Sequence, residues 1–142
     1  MDNYEEKITK TFIVAGVVLE KEGKYLLIQE NHRDPKVYGL WNFPAGIVEN
    51  GISIEETAVK EAKEESGYDV ELVRKLDIFQ DNSKAPVKHS FEAKIIGGKL
   101  EWPKNEILDA QWFTLNEIEN MKDKLRGNWV LESINIIKNH KK

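Results

Sequence analysis

The spacing of apolar residues along the chain predicts strands and helices in alternation. Apolar runs and alternating stretches predict strands over residues 11–20, 24–30, 69–80, 88–96 and 107–113. Glu22-Gly23 predicts the turn of a hairpin between the first two strands, and the polar residues 81–86 predict a loop between the next two. Helical spacing covers residues 54–66, 115–121 and 128–138, and Val130, Ile134 and Ile137 fall on one side of the last helix. Strands interleaved with helices indicate an α/β or α+β domain.

The first predicted helix has recognisable chemistry at both ends. Ser53 followed three residues later by Glu56 has the form of a capping box, in which each side chain bonds the other residue's backbone amide. Gly67 can adopt the left-handed conformation that closes a helix. We therefore expect a helical body over residues 54–66.

Three carboxylates crowd the last turns of this helix. Glu61, Glu64 and Glu65 oppose the negative end of the helix dipole, and each like-charge pair at spacing three or four costs a further ~0.2–0.5 kcal/mol. At roughly 100° per residue they share or border the face of the predicted apolar residues, which are Ile54, Ala58 and Ala62. A solvated acidic face is the simpler interpretation of such a stretch. Inward-facing carboxylates instead require a neutralising partner, and a divalent cation supplies one.

The available donors restrict which cation fits. The chain has no cysteine, and its three histidines, His32, His89 and His140, are scattered. Oxygen ligands alone suit Mg²⁺ or Mn²⁺ rather than zinc. The sequence therefore predicts a magnesium or manganese site on this helix.

Length, composition and charge exclude several other classes of protein. With 142 residues, 40% of them hydrophobic, the chain fits one domain spanning residues 1–142. The absence of cysteine excludes disulfides, and the start lacks the order of a signal peptide, so we expect a cytoplasmic protein. No apolar run approaches the ~20 residues of a membrane span. A net charge of −4 argues against binding to a nucleic acid polymer, but small phosphorylated ligands remain compatible with it.

The segment around the acidic helix resembles a known motif. Residues 46–68, GIVENGISIEETAVKEAKEESGY, are similar to the Nudix box, G-x5-E-x7-R-E-U-x-E-E-x-G-U, in which U is apolar. The matching positions are Gly46, Glu61, Ala62, Glu64, Glu65 and Gly67, with Tyr68 as an unusual last member. The resemblance to the MutT-like Nudix hydrolases extends to residues 12–29, 106–113 and 115–118.

The resemblance implies a fold, a reaction and a set of ligands. Members of this family form an α/β/α sandwich around a mixed β-sheet and use Mg²⁺ or Mn²⁺ to hydrolyse nucleoside diphosphates linked to another group. Carried over by position, Glu61, Glu64 and Glu65 are the metal-binding carboxylates, and the carbonyl of Ala45 is a further ligand. We expect Glu64 and Glu65 to hold the principal metal ion, and Glu61 to hold a second or shared one.

Two positions depart from the motif. Ile52 stands where the box has its first Glu, and Lys60 stands where it has Arg. In the family that Arg and that Glu help to hold the metal-binding carboxylates, so Lys60 belongs to the predicted catalytic set. Lysine keeps the charge but loses the bidentate geometry of arginine. Together, Ile52 and Lys60 predict an enzyme whose activity is weakened or retuned. The simpler interpretation of Ile52 is a hydrophobic residue that packs at the entry to the helix.

A narrower resemblance rests on short segments. Residues 41–42, 44–46, 125–127 and 132–134 are similar to phosphatases that act on thiamine diphosphate, its hydroxymethylpyrimidine diphosphate precursor and nucleotides. These matches extend the list of candidate substrates.

Residues outside the box supply further candidates. Glu106, before the last strand, is a candidate ligand or general base, and Asp109 competes for that role. Basic and aromatic residues placed to meet a phosphate or stack on a base are Arg33, Lys36, Trp41, Phe79 and Trp129, each of which also fits a solvated loop or a core position. His89 fits a packed strand position better than a catalytic one.

Three functions compete at this point. The leading one is Mg²⁺-dependent hydrolysis of a phosphoanhydride bond in nucleoside diphosphate-linked or thiamine-type compounds, in which an activated water attacks phosphorus. The second is a catalytically weak or inactive Nudix-fold sensor that binds a nucleotide, and the third is a purely structural acidic helix. The substrate, the number of metal ions between one and three, and the oligomeric state, including a homodimer, stay open.

Overall fold

The computed structural model describes residues 12–140 of the chain. Within them lie seven strands: β1 (Ile13–Lys21), β2 (Lys24–Glu30), β3 (Trp41–Asn42), β4 (Ala45–Ile47), β5 (Tyr68–Phe79), β6 (Val87–Gly98) and β7 (Ile107–Thr114). The same residues form three α-helices, α1 (Ile54–Ser66), α2 (Leu115–Asn120) and α3 (Trp129–His140), and a 3₁₀ turn, Lys122–Lys124. Every strand and helix predicted from the apolar spacing is present. Residue 11 of the first predicted strand lies outside the described residues.

One boundary differs from the sequence prediction. The apolar spacing predicts that the last helix ends at residue 138, and the basic composition of residues 138–142 predicts a frayed tail. Helix α3 instead continues to His140, so the frayed tail is wrong for residues 138–140, and residues 141–142 lie outside the described part. Ile137 is only 1% exposed and packs in the core, which holds the last turn in place.

The sheet is mixed, and β1 lies at its centre. β1 pairs in parallel with β6 and antiparallel with β4, and its end pairs antiparallel with the start of β2. β5 continues the sheet beyond β6, while β2 carries β3 and β7. The predicted hairpin between β1 and β2 is confirmed: Glu22 has φ 53° and Gly23 has φ 79°, as a two-residue turn matched to the strand twist requires.

Alternation along the central strands divides the core into two layers. Ala15, Val17 and Leu19 of β1 pack toward α1, with Ala58 and Ala62 of that helix. Val18 packs in the second layer with residues of α2 and α3, including Ile118, Trp129, Val130, Ile134 and Ile137. Helices on both faces of a mixed sheet confirm the predicted α/β/α sandwich. The longest helix in residues 12–140 is α1 with 13 residues, and none of the helices in this range qualifies as a membrane span.

Candidate active site

Helix α1 begins and ends where the sequence predicts. The Ser53 hydroxyl accepts the Glu56 backbone N–H at 3.0 Å, and the Glu56 carboxylate accepts the Ser53 N–H at 3.0 Å. Gly67 closes the helix with φ 84°. Ala58 and Ala62 are fully buried, so the inward face is the predicted one. The two caps set the length of the helix, and the two buried alanines set its rotation and so the direction of its carboxylates.

Two of the three glutamates face the short strand β4. The Glu65 Oε1 atom accepts a hydrogen bond from the backbone N–H of Ala45 at 2.9 Å. The Glu61 carboxyl group lies against Gly46, where a Cβ atom would overlap it. Because glycine has no side chain, the backbone of β4 and the helix approach closely at this point.

The surroundings of these two carboxyl groups disfavour their charged forms. Burial and the neighbouring Glu64 raise the pKa of Glu61 to about 7. Burial raises the pKa of Glu65 well above its ordinary value, and repulsion from Glu61 and Glu30 acts in the same direction. The hydrogen bond from Ala45 opposes this shift. The positive charge of Lys60 lowers the pKa of Glu61 but does not outweigh burial and repulsion, so the pair is left with too little compensating charge.

Glu64 faces solvent, in contrast to the expectation that all three carboxylates converge inward. Its Oε2 atom lies 3.6 Å from the Lys60 Nζ atom, and the two side chains are 52% and 46% exposed. Lys60 precedes Glu64 by one helical turn, and the contact between them keeps the Glu64 carboxylate on the exposed side of α1. In residues 12–140, no three carboxylate or imidazole groups stand close enough together to surround a metal ion.

Glu106 lies beside this cluster. Its backbone carbonyl accepts the Asn31 N–H at 3.1 Å, which joins the end of β2 to the loop before β7. Repulsion from Glu106 contributes to the raised pKa of both Glu61 and Glu65. The competing residue, Asp109, accepts hydrogen bonds from the Ala110 N–H and the Gln111 side chain on its own strand. The geometry therefore favours Glu106 as the third acidic group at the cluster.

A cleft of about 200 Å³ adjoins Ala45 and Gly46. Its charged lining comes from Glu30, Lys88 and Arg126, which lie far apart in sequence, and His32 also borders it. The Arg126 Nη1 atom lies 2.6 Å from the Glu30 Oε2 atom. The cleft thus combines cationic groups with the edge of the carboxylate cluster.

The residues predicted to bind substrate lie in different surroundings. Arg33 and Lys36 are exposed in the turn after β2 and do not line the cleft, while Trp129 does. The Trp129 ring is 1% exposed, and its Nε1–H donates to the Asn42 Oδ1 atom at 2.9 Å. Trp41 packs edge-on against Phe113 with ring centroids 5.0 Å apart, and Phe79 packs against the same core layer. His89 is buried, as its strand position suggested.

Sequence reasoning did not assign Glu30, Lys88 or Arg126 to a site. Arg126 stands in the segment 125–127 that the narrower resemblance singled out, so a signal for it was present. Glu30 is the last residue of β2 and Lys88 is the second residue of β6, and neither lies in a recognisable motif. Only the register of the sheet brings them to one cleft.

The donors at α1 and β4 fit an oxygen-liganded divalent cation. Glu61 and Glu65 are close together, partly or largely withdrawn from water, and short of positive charge. Carboxylates and backbone carbonyls are the ligands that Mg²⁺ and Mn²⁺ prefer.

Comparison with known proteins identifies the family. The model described as NUDIX domain matches residues 9–132. The chain therefore belongs to the Nudix family of hydrolases.

Individual relatives and structures agree with this family. The chain is 31% identical over 113 residues to an ADP-ribose pyrophosphatase of Methanocaldococcus jannaschii, a match covering 77% of this chain and 65% of that protein. It is 32% identical over 98 residues to a putative 8-oxo-dGTP diphosphatase of Bacillus subtilis, a match covering 69% of this chain and 63% of the relative. Its fold is similar to that of a Nudix hydrolase from Nitrosomonas europaea, with a TM-score of 0.79, 26% identity, and coverage of 94% of this chain and 92% of the other. The chain spans from about a third to just under two thirds of the length of the curated relatives it matches first.

Proposed function

We propose that this protein is a divalent-metal-dependent hydrolase of phosphoanhydride bonds in small nucleoside diphosphate-linked compounds. The observation that carries the proposal is the pair Glu61 and Glu65, held against Ala45 and Gly46 with too little positive charge around them. A partly buried acidic pair of this kind is unfavourable in its charged form until a cation binds.

The residues that would hold the cation are those of the box. Glu61, Glu64, Glu65 and the carbonyl of Ala45 would supply oxygen ligands to Mg²⁺ or Mn²⁺. A bound cation would neutralise charge on the phosphate oxygens and lower the pKa of a water molecule. The hydrogen bond from the Ala45 N–H keeps Glu65 directed toward β4, and Lys60 restrains Glu64.

Glu106 is the proposed general base. It is exposed at the cluster and free of the local hydrogen bonds that engage Asp109. In the proposed step, the oxygen of a water molecule bonds to phosphorus, the anhydride oxygen leaves with the second phosphate, and the proton of the water passes to Glu106.

The substrate is proposed at the level of a class. The two relatives described above are named for ADP-ribose and 8-oxo-dGTP, and both compounds contain a phosphoanhydride joined to a nucleoside. Thiamine-type diphosphates enter only through the short segments noted above. A cytoplasmic location and a homodimer remain proposals made from the sequence.

One observation favours the rival function of a sensor with weak activity or none. Lys60 holds Glu64 on the exposed side of α1, away from the buried pair. A sensor would bind the nucleotide but would not hydrolyse it.

The test is release of phosphate or pyrophosphate from a panel of substrates with Mg²⁺ or Mn²⁺. The panel contains ADP-ribose, 8-oxo-dGTP, unmodified nucleoside di- and triphosphates, a dinucleotide, a sugar nucleotide and thiamine diphosphate. We expect turnover of at least one nucleoside compound, and its loss when a chelator removes the metal. Turnover that persists in excess chelator would overturn metal dependence, and nucleotide binding without turnover of any compound would favour the sensor.

A further inference from the structure

Lys88 occupies an unusual position in the sheet. The strand register aligns Ile47, Val14, Lys88 and Phe79 in one row across four neighbouring strands. Cross-strand partners point to the same face, and the other three members of this row are apolar. A single cation therefore projects among apolar neighbours toward the face that carries α3.

The ammonium group of Lys88 has no close anion. Its Nζ atom lies 5.4 Å from the centroid of a Trp129 ring and 3.5 Å from the Arg126 carbonyl oxygen. Among the ion pairs of residues 12–140, none joins Lys88 to a carboxylate within 4.0 Å. Burial lowers the pKa of Lys88, and repulsion from Arg126 acts in the same direction, while the carboxylates of Asp81 and Glu30 only partly oppose these effects. The side chain would gain from an anion that reached it.

Arg126 is the other cation of the cleft, but Glu30 already engages it. Besides that ion pair, the Arg126 backbone N–H donates to the Trp41 carbonyl at 2.7 Å. These bonds fix the position of Arg126, whose backbone carbonyl contacts Lys88. Lys88 is therefore the cation in the lining that a ligand can reach without breaking an ion pair.

The size of the cleft limits what can enter it. Its volume of about 200 Å³ is smaller than the roughly 300–1,000 Å³ of sites that enclose a whole drug-sized ligand. One side is formed by Ala45 and Gly46, next to the carboxylate pair, and Lys88 and Pro86 also line it. A phosphate chain that begins at the carboxylates fits this space better than a phosphate chain followed by a second sugar.

We propose that Lys88 determines specificity by binding a terminal phosphate of the substrate, one that lies beyond the phosphoanhydride held at the carboxylates. The preferred substrates are then nucleoside di- or triphosphates with a free terminal phosphate, rather than diphosphates capped at both ends, such as ADP-ribose. This inference rests on the proposed function and narrows its substrate class.

The first test compares kcat/KM for a nucleoside diphosphate and for ADP-ribose in variants of Lys88. Lys88→Met removes the positive charge and replaces it with an uncharged side chain of similar volume. It is expected to lower kcat/KM for the nucleoside diphosphate roughly 10- to 100-fold, mainly through KM, because one charge-assisted hydrogen bond is lost. The loss for ADP-ribose is expected to be about tenfold smaller, and Lys88→Arg should restore most of the difference.

Lys75→Met is the matched control. Lys75 also lies over an aromatic ring, 5.7 Å from the Phe91 centroid, but it does not line the cleft. It should not change the ratio of the two kcat/KM values. Equal losses for both substrates in Lys88→Met, or the same change of ratio in Lys75→Met, would overturn the assignment.

A binding measurement separates this inference from the proposed function. Inorganic pyrophosphate is titrated into the chelated protein at low salt while the indole N–H signal of Trp129 is followed by NMR. We expect a saturable shift in the wild type and in Lys75→Met, and none in Lys88→Met. If no compound is hydrolysed but this pattern appears, the proposed function fails and the anion site stands. If hydrolysis occurs but the shift is absent or independent of Lys88, the inference fails and the function stands.

Discussion

Gly46 is the residue at which the candidate site depends on the absence of a side chain. A Cβ atom there would overlap the Glu61 carboxyl group, which is the movable end of a side chain. Gly46→Ala is therefore expected to displace Glu61, with kcat/KM reduced at least tenfold and the free energy of unfolding changed by less than ~1 kcal/mol. Steady-state kinetics and urea denaturation measure the two effects.

Gly23→Ala is the control, because it should lower stability without changing turnover. No atom lies within 4 Å of a Cβ at Gly23, but its φ of 79° strains an alanine. We expect a loss of about 1–2 kcal/mol in stability and unchanged turnover. Unchanged turnover in Gly46→Ala as well would contradict the role given to the contact between Gly46 and Glu61.

The pKa of Glu61 predicts how the stability of the metal-free protein depends on pH. From an ordinary value of 4.5 it is raised to about 7 in the folded state, so between these values the folded protein keeps a proton that the unfolded chain releases. The stability from this group is complete below pH 4.5 and is lost as the pH rises through 7. Because the group is partly solvated, the loss is about 1–2 kcal/mol.

Denaturation of the chelated protein at pH 5 and pH 8 measures this loss. Glu61→Gln should reduce the difference between the two pH values, although Glu65 adds a term of the same sign in both proteins. An identical difference in the wild type and in Glu61→Gln would exclude the assigned burial of Glu61.

Helix α1 is the element that the sequence predicted best. Its ends depend on local chemistry, since Ser53, Glu56 and Gly67 each act on backbone groups within one turn. The exposed direction of Glu64 was not predicted, because it depends on the contact between its side chain and that of Lys60. Spacing alone gives the angle around the helix axis but not the conformation of a side chain at the border of the buried face.

The loop and helix carry the two departures from the Nudix box, and we expect them to be coupled. Ile52 precedes the helix, and Lys60 pairs with Glu64 through a single contact at 3.6 Å. Ile52→Glu combined with Lys60→Arg is expected to raise turnover by more than the sum of the single changes. A planar guanidinium at position 60 can hydrogen-bond both the new carboxylate at position 52 and that of Glu64. A coupling above ~0.5 kcal/mol in ΔG‡ supports this expectation, and simple additivity would refute it.

Across the sandwich as a whole, a buried hydrogen bond joins β3, beside the site, to helix α3. The Asn42 Oδ1 atom accepts both the Phe43 N–H and the Trp129 Nε1–H at 2.9 Å, and Asn42 is 8% exposed. Asn42→Ala would leave two donors unpaired in the core and is expected to cost about 2–4 kcal/mol, measured by thermal or urea denaturation.

Asn82→Ala is the matched control for this effect. Asn82 also accepts a backbone N–H, that of Lys84 at 2.9 Å, but in an exposed loop. A cost below ~0.5 kcal/mol is expected there. Equal costs at both positions would show that the bond between Asn42 and Trp129 does not support the packing of α3.

The arrangement of the strands shows where prediction from sequence ends. Apolar alternation predicted the strands and the two faces of β1, because each face is decided within a few residues. Glu30 and Arg126 are 96 positions apart, and Lys88 reaches their cleft only because β6 pairs in parallel with β1. No local pattern encodes that pairing, so the charged cleft beside the box could not be found before the register was known.

The carboxylates of α1 carry the proposed chemistry, and the decisive measurement is the turnover of the double variant Glu64→Gln with Glu65→Gln. Glu55→Gln, an exposed change on the same helix, is the control. With Mg²⁺ and the best substrate of the panel, we predict a loss of at least 100-fold in kcat/KM for the double variant and less than twofold for the control. Turnover that survives the double substitution would show that Glu64 and Glu65 do not hold the catalytic metal ion.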